Sequence, residues 1–121
     1  IQYALTYPER LPHIQQRYLS FEETVTLHLE TVDEERYPAL SMAYEAGRAG
    51  GLFPAVLNAA NEEAVQAFLT GELPFHCIES VIESVLRRCP TEPNPSLEAV
   101  LEADAWARRA AREMMRAFSG A

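Results

Sequence analysis

From Asp33 onward the apolar positions of this chain recur every three or four residues, and the recurrences break at glycine and proline. Leu40, Ala43, Tyr44 and Ala46/Gly47 make one stripe, with Pro38 at the first helical position and Gly50-Gly51 as the stop. A second helix contains Asn61 to Leu69, with Ala60, Ala64, Val65 and Phe68 inward and Gly71 ending it. A third runs from about His76 to Arg88, where Ile78, Val81, Ile82, Val85 and Leu86 fit the i, i+3, i+4, i+7 template. Residues 89–95 carry three prolines and read as a stiff linker. Ser96 then caps a last helix bearing Leu97, Val100, Leu101, Ala107, Ala111, Met114/Met115 and Phe118, and residues 119–121 fray.

The first third of the chain is different. Ile1, Ala4 and Leu5 share a helical face that Pro8 interrupts, so residues 1–10 read as the tail of a helix. Leu11-Pro12-His13 is irregular. Phe21 with Glu22 and Glu23 leads into Val25, Leu27 and Leu29, which alternate with Thr26, His28 and Glu30 in a strand-like period of two. Nothing else in the chain reads as a partner strand, and one strand is not stable alone. The expected fold is therefore mostly α: a small helical bundle of four segments over residues 33–121, preceded by an extended linker arm with one strand-like run. A core of this size contributes little net stability, so packing against another domain is expected.

Composition narrows the function classes. The 121 residues carry a net charge of −8, which repels phosphate backbones and anionic lipid, so no nucleic-acid or membrane partner is expected. All ten basic residues are arginine, which excludes a Schiff-base or Walker lysine within the chain. Cys77 and Cys89 read as reduced thiols of a cytoplasmic protein, and neither pairs with His13, His28 or His76 at zinc-ligand spacing. Ile1 is not an initiator Met and the chain opens mid-pattern, as a piece of something longer would.

Two clusters are chemically suggestive. Asn58, Asn61 and Glu62 stand at i, i+3, i+4 beside small alanines. They are either a polar cluster for a ligand or a structural set in which Asn58 caps the helix and Asn61 and Glu62 satisfy nearby backbone. The structural reading is preferred, because no nucleophile, histidine or basic group accompanies them. Asp104 falls on the apolar stripe of the last helix. It either pairs with Arg108 at i+4 or N-caps a helix restarting at Ala105. Trp106 and Tyr44 suit a core or a domain seam. The acidic run Glu30, Asp33, Glu34, Glu35 reads as a solvated face. There is no Gly-rich phosphate loop between a strand and a helix, and no Ser/His/Asp arrangement.

The stretches IQYALTYPER at 1–10, RYPALSMAYEAGRAGG at 36–51, AVLNAANEEAVQAFLTGELPF at 55–75 and SLEAVLEADAWARRAAREMM at 96–115 closely resemble the C-terminal end of the 1-deoxy-D-xylulose 5-phosphate reductoisomerases. The resemblance covers nearly the whole chain in the family's order, and LNAANE with DAWAR is a specific pairing. It implies an enzyme of three parts: an NADPH-binding Rossmann domain, a catalytic domain and a C-terminal helical bundle. That enzyme rearranges and then reduces its substrate to 2-C-methyl-D-erythritol 4-phosphate, a precursor in non-mevalonate isoprenoid biosynthesis, with Mg²⁺ or Mn²⁺. On the same resemblance residues 1–10 end the catalytic domain's last helix, residues 11–32 are the linker, and residues 33–121 are the bundle that buttresses the catalytic domain. The parent is expected to be a homodimer.

The family's metal-binding carboxylates, phosphate-gripping cluster, flap and dinucleotide fingerprint all precede the IQYALTYPER stretch. No catalytic, cofactor-binding or metal-binding residue is therefore carried onto this chain, and its own roles for Pro38, Asn58, Asn61, Glu62, Asp104, Trp106 and Arg108 are structural. The piece alone is expected to be inactive and to self-associate through residues 1–32. The competing class is a free-standing helical interaction module, and the reading frame upstream of Ile1 discriminates the two.

Overall fold

The computed structural model describes residues 2–12, 22 and 24–119, the side chains of residues 118 and 119 excepted. The expectations placed on Ile1, His13, Phe21, Glu23, the Phe118 side chain and the frayed end fall outside them. Among the described residues there are five α-helices, one 3₁₀ turn and no strand. The chain divides into two compact units, Ile1–Thr31 and Val32–Ala121.

The first unit holds one short helix, α1 (Gln2–Thr6), which stops before Tyr7-Pro8 because a residue preceding proline is pushed out of the helical region. The Gln2 side-chain amide donates to the carbonyl of Leu11 at 3.1 Å, folding the following segment back on the helix. The strand-like run forms no ladder: Val25, Leu27 and Leu29 are 51%, 80% and 90% exposed in irregular backbone. The alternation is real, yet among the described residues no neighbouring strand accepts its backbone hydrogen bonds.

The second unit is the bundle: α2 (Ala39–Ala49), α3 (Phe53–Leu69), a 3₁₀ turn (Phe75–Cys77), α4 (Ile78–Leu86) and α5 (Leu97–Ser119). The acidic stretch before α2 is an organised turn, since Asp33 Oδ1 accepts from the N–H groups of Glu35 and Arg36, both at 3.1 Å. Pro38 sits one position before the first residue of α2, already helical at φ −67° and ψ −16°. Gly50 ends that helix at φ +65°, its N–H donating to Ala46. At the start of α5 the Ser96 hydroxyl accepts from the N–H of Ala99 at 3.2 Å, the cap expected there.

The core is built largely of small residues. Helix α3 buries Val56, Ala59, Ala60, Ala64 and Ala67, and α5 answers with Ala103, Ala107, Ala110 and Ala111. Alanine on both sides lets two helix backbones come together at the short end of the ~8–10 Å interaxial range. Helix α4 closes the core with Ile78, Val81, Ile82 and Val85, its expected stripe, and Leu86 is half-buried beside them.

In three helices, residues expected inside stand outside. In α2 the residue in the core is Ala46, with Met42 beside it, whereas Leu40, Ala43, Tyr44 and Gly47 face outward. An 11-residue helix with two apolar arcs can bury either, and here the smaller arc lets α2 approach α3. Phe68 is on the rim of α3 rather than inside, stacked edge-to-face on Phe75 with centroids 5.4 Å apart. Leu97 and Leu101 of α5 are exposed, because that helix presents its alanines to α3 instead.

Candidate functional site

The polar side chains singled out in the sequence meet at the seam between α3 and α5. Helix α3 begins at Phe53 with Pro54 in its first turn, so Asn58 lies inside the helix and is not its N-cap. The cap expectation placed the start too late: Pro54 fits the first turn, where its missing N–H is no loss. The Asn58 amide instead donates to Glu62 Oε1 at 3.1 Å, one turn along. Helix α5 is unbroken through Ala105, so Asp104 caps nothing. It pairs with Arg108, whose Nε and Nη2 donate to the two carboxylate oxygens at 2.8 and 3.1 Å.

Because the alanines bring α3 and α5 close, side chains along the edges of that contact reach across it. Arg108 Nη2 also donates to Glu62 Oε2 at 2.7 Å, and its Nη1 lies 3.5 Å from Glu63 Oε1. Arg112, one turn on, grips both oxygens of Glu63 at 2.7 Å in a two-pronged pair. Glu63 and Arg112 escaped the sequence reading. The signal was present, in that Asp104, Arg108 and Arg112 recur every four residues and so run along one face of α5.

The electrostatics follow from the contacts. Hydrogen bonding from Arg108, then from Asn58, holds the Glu62 carboxyl below its ordinary value. Arg112 does the same for Glu63, against a smaller opposing effect of burial. Arg108 is held further into its charged form, first by Asp104 and then by Glu62. Three carboxylates thus share two guanidiniums. Such a network joins helices. It offers no nucleophile and no proton donor of intermediate acidity.

The other residues singled out stand elsewhere. Asn61, half-buried, lines a cleft of about 550 Å³ together with Tyr37, Val65, Phe75, His76 and Ile82. Trp106 packs against the core from the opposite face of α5, with the Arg88 guanidinium 5.9 Å from its ring centroid. Cys77 and Cys89 are free and half-buried, and burial pushes the Cys89 thiol up. The acidic turn uses its carboxylates locally, Glu34 accepting from the Ser41 hydroxyl at 2.9 Å.

Among the described residues no three His, Cys, Asp or Glu side chains converge as a metal cluster, and the carboxylates at the α3–α5 seam are already committed to arginine. These residues do not fit a divalent cation. Nor do the glycines cradle a phosphate: Gly50-Gly51 joins two helices, and Gly51 has Glu92 packed against it. No helix among the described residues is long and apolar enough to cross a membrane.

Residues 1–110 match the family model of the DXP reductoisomerase C-terminal domain. The chain belongs to that family. A 1-deoxy-D-xylulose 5-phosphate reductoisomerase of Geobacillus sp. (strain WCH70) is 55% identical over 115 residues, covering 95% of this chain and 30% of its own length. The enzyme of the same name from Pelotomaculum thermopropionicum is 51% identical over 116 residues, 96% of this chain and again 30% of its length. In solved structures, the reductoisomerase from Zymomonas mobilis in complex with NADPH superposes with a TM-score of 0.76 at 37% identity. That match covers 93% of this chain and 30% of the Zymomonas protein. The chain thus spans about 30% of the length of the curated relatives it matches.

Proposed function

We propose that this chain serves as the C-terminal helical domain of an NADPH-dependent reductoisomerase that converts 1-deoxy-D-xylulose 5-phosphate to 2-C-methyl-D-erythritol 4-phosphate. The observation carrying the reading is collinear identity of 55% across nearly the entire chain with a protein of that name more than three times as long. In this reading the parent enzyme is a cytoplasmic homodimer whose other parts bind NADPH and Mg²⁺ or Mn²⁺ and perform the rearrangement and hydride transfer. Residues 1–10 end its catalytic domain, residues 11–32 link, and residues 33–121 buttress.

The chemistry of the chain supports a supporting role. Glu62, Glu63 and Asp104 are paired with arginine, and the chain has no lysine with which to bind the substrate's phosphate. What the domain supplies is a four-helix body, with α3 and α5 joined by an alanine seam and a charge clamp, on which a catalytic domain can rest.

The test is an assay of NADPH oxidation with 1-deoxy-D-xylulose 5-phosphate and Mg²⁺, on the 121-residue chain and on the longer protein whose reading frame contains it. Turnover is expected only from the longer protein. Turnover by the purified 121-residue chain, or none by the longer protein with either metal, overturns the reading.

A further inference from the structure

We propose that the outward face of α2, formed by Leu40 and Tyr44 with Tyr37 just before the helix, is the surface through which this domain docks on the remainder of its longer parent chain. The inference rests on the preceding reading of the chain as one domain of a larger enzyme, and adds which face makes the contact. Ala46, the residue of α2 in the core, is two positions past Tyr44 and so about 200° around the helix from it. Tyr44 therefore points away from the bundle, with Leu40 one turn before it on the same exposed side. Tyr37 is 49% exposed, Leu40 41% and Tyr44 59%. Two arginines hold the rings in place: the Arg36 guanidinium lies 5.4 Å from the centroid of Tyr37, and that of Arg48 5.5 Å from Tyr44. Aromatic anchors flanked by arginine are what the centres of protein interfaces are enriched in, and rings already held lose little freedom on binding.

The size of the patch selects the occupant. Half-exposed side chains of this number present on the order of 300 Å² of apolar surface. Two copies packed face to face would bury well under the ~1,200 Å² that stable, specific complexes need. A tethered partner does not face that threshold, because a covalent link holds it at roughly millimolar effective concentration. The chain spans only 30% of its relatives' length, so such a tethered partner is available in the parent. The surface it meets α2 with is apolar at the centre, with carboxylates placed against Arg36 and Arg48.

Hydroxyl-radical footprinting read by mass spectrometry tests the contact on the longer protein and on the 121-residue chain in parallel. Tyr37, Leu40 and Tyr44 are expected to oxidise about tenfold more slowly in the longer protein, as residues at the dry centre of an interface do. Tyr44→Glu in the longer protein should return Tyr37 and Leu40 to the rates of the short chain. In the short chain the same substitution should leave the helical circular dichroism unchanged, since position 44 is outside the core. Equal rates in both proteins overturn the proposal, as does protection that survives Tyr44→Glu. Protection of the short chain that grows with its own concentration also overturns it, in favour of a second copy. NADPH oxidation by the longer protein is recorded separately: protection without turnover keeps the docking face and rejects the assigned reaction, and turnover without protection does the reverse.

Discussion

Asn58 shows how one residue's role depends on where its helix starts. An N-cap asparagine replaced by alanine costs about 1 kcal/mol. Inside α3 and exposed, Asn58 contributes one side-chain hydrogen bond to Glu62 and occupies a position where alanine is the better helix former. Asn58→Ala is therefore expected to change stability by less than about 0.5 kcal/mol in either direction. Chemical denaturation measures it, and a loss near that of a cap would place a helix start at Asn58 after all. Gly51 is the opposite case. Its φ is +56°, and a Cβ there would collide with the backbone carbonyl of Glu92. Gly51→Ala should destabilise by more than ~1 kcal/mol, since the substitution meets both a left-handed backbone and a close neighbour. A thermal melt matching the unsubstituted chain's would mean the Glu92 carbonyl does not press on position 51.

Between elements, the seam of α3 and α5 combines close backbones with charges at its edge. Ala107 has no exposed surface, so Ala107→Leu must push the helices apart and is expected to cost about 1–3 kcal/mol. Urea denaturation reads that loss. A neutral result would mean a looser seam than four facing alanines imply. The charge clamp has a pH signature. Glu62 and Glu63 titrate below the ordinary carboxylate value of 4.5 in the folded chain. Their contribution is fully present above that value and is lost as the pH falls through the lowered ones. Arg108→Gln removes the partner shared by Glu62 and Asp104 while keeping much of the side chain's length. Its melting temperature should lie a few degrees below the parent's at neutral pH and converge with it in acid. A gap that stays constant from about pH 7 to 3 would mean the arginine acts by packing, not charge. The sequence showed half of this clamp. The Asp104–Arg108 pair lies on one helix at i, i+4, whereas Glu62 and Glu63 are over forty positions away from their arginines, and only the packing of α3 on α5 brings them together.

For the molecule as a whole, residues 1–32 and the bundle make separate demands. Val25, Leu27 and Leu29 are exposed and lie in no ladder among the described residues, so their N–H and C=O groups can pair with another chain. We expect the 121-residue chain to self-associate through this arm, an exchange between two copies that needs no change in the bundle. Light scattering after size exclusion should show a concentration-dependent mass for residues 1–121 and a monomer for residues 33–121. Association that persists unchanged without the arm would assign it to the bundle surface.

Periodicity alone determined that the chain beyond Asp33 is mostly helical, that the breaks fall at Gly50-Gly51, at Gly71 and in the proline-rich linker, and that Ser96 caps α5. These are local matters, set by glycine and proline backbone preferences and by hydrogen bonds within a turn. Motif order alone also carried the resemblance that residues 1–110 then bore out against the family. Tertiary structure decided which apolar arc of each helix went inside. Ala46 was chosen over Tyr44 in α2, and alanines over Leu97 and Leu101 in α5, because a close helix pair rewards small residues at the contact and turns the large ones out. The same close approach made a network of Glu62, Glu63, Asp104, Arg108 and Arg112, since the reach of an arginine across a seam depends on how near two backbones come. No spacing along one chain encodes that distance.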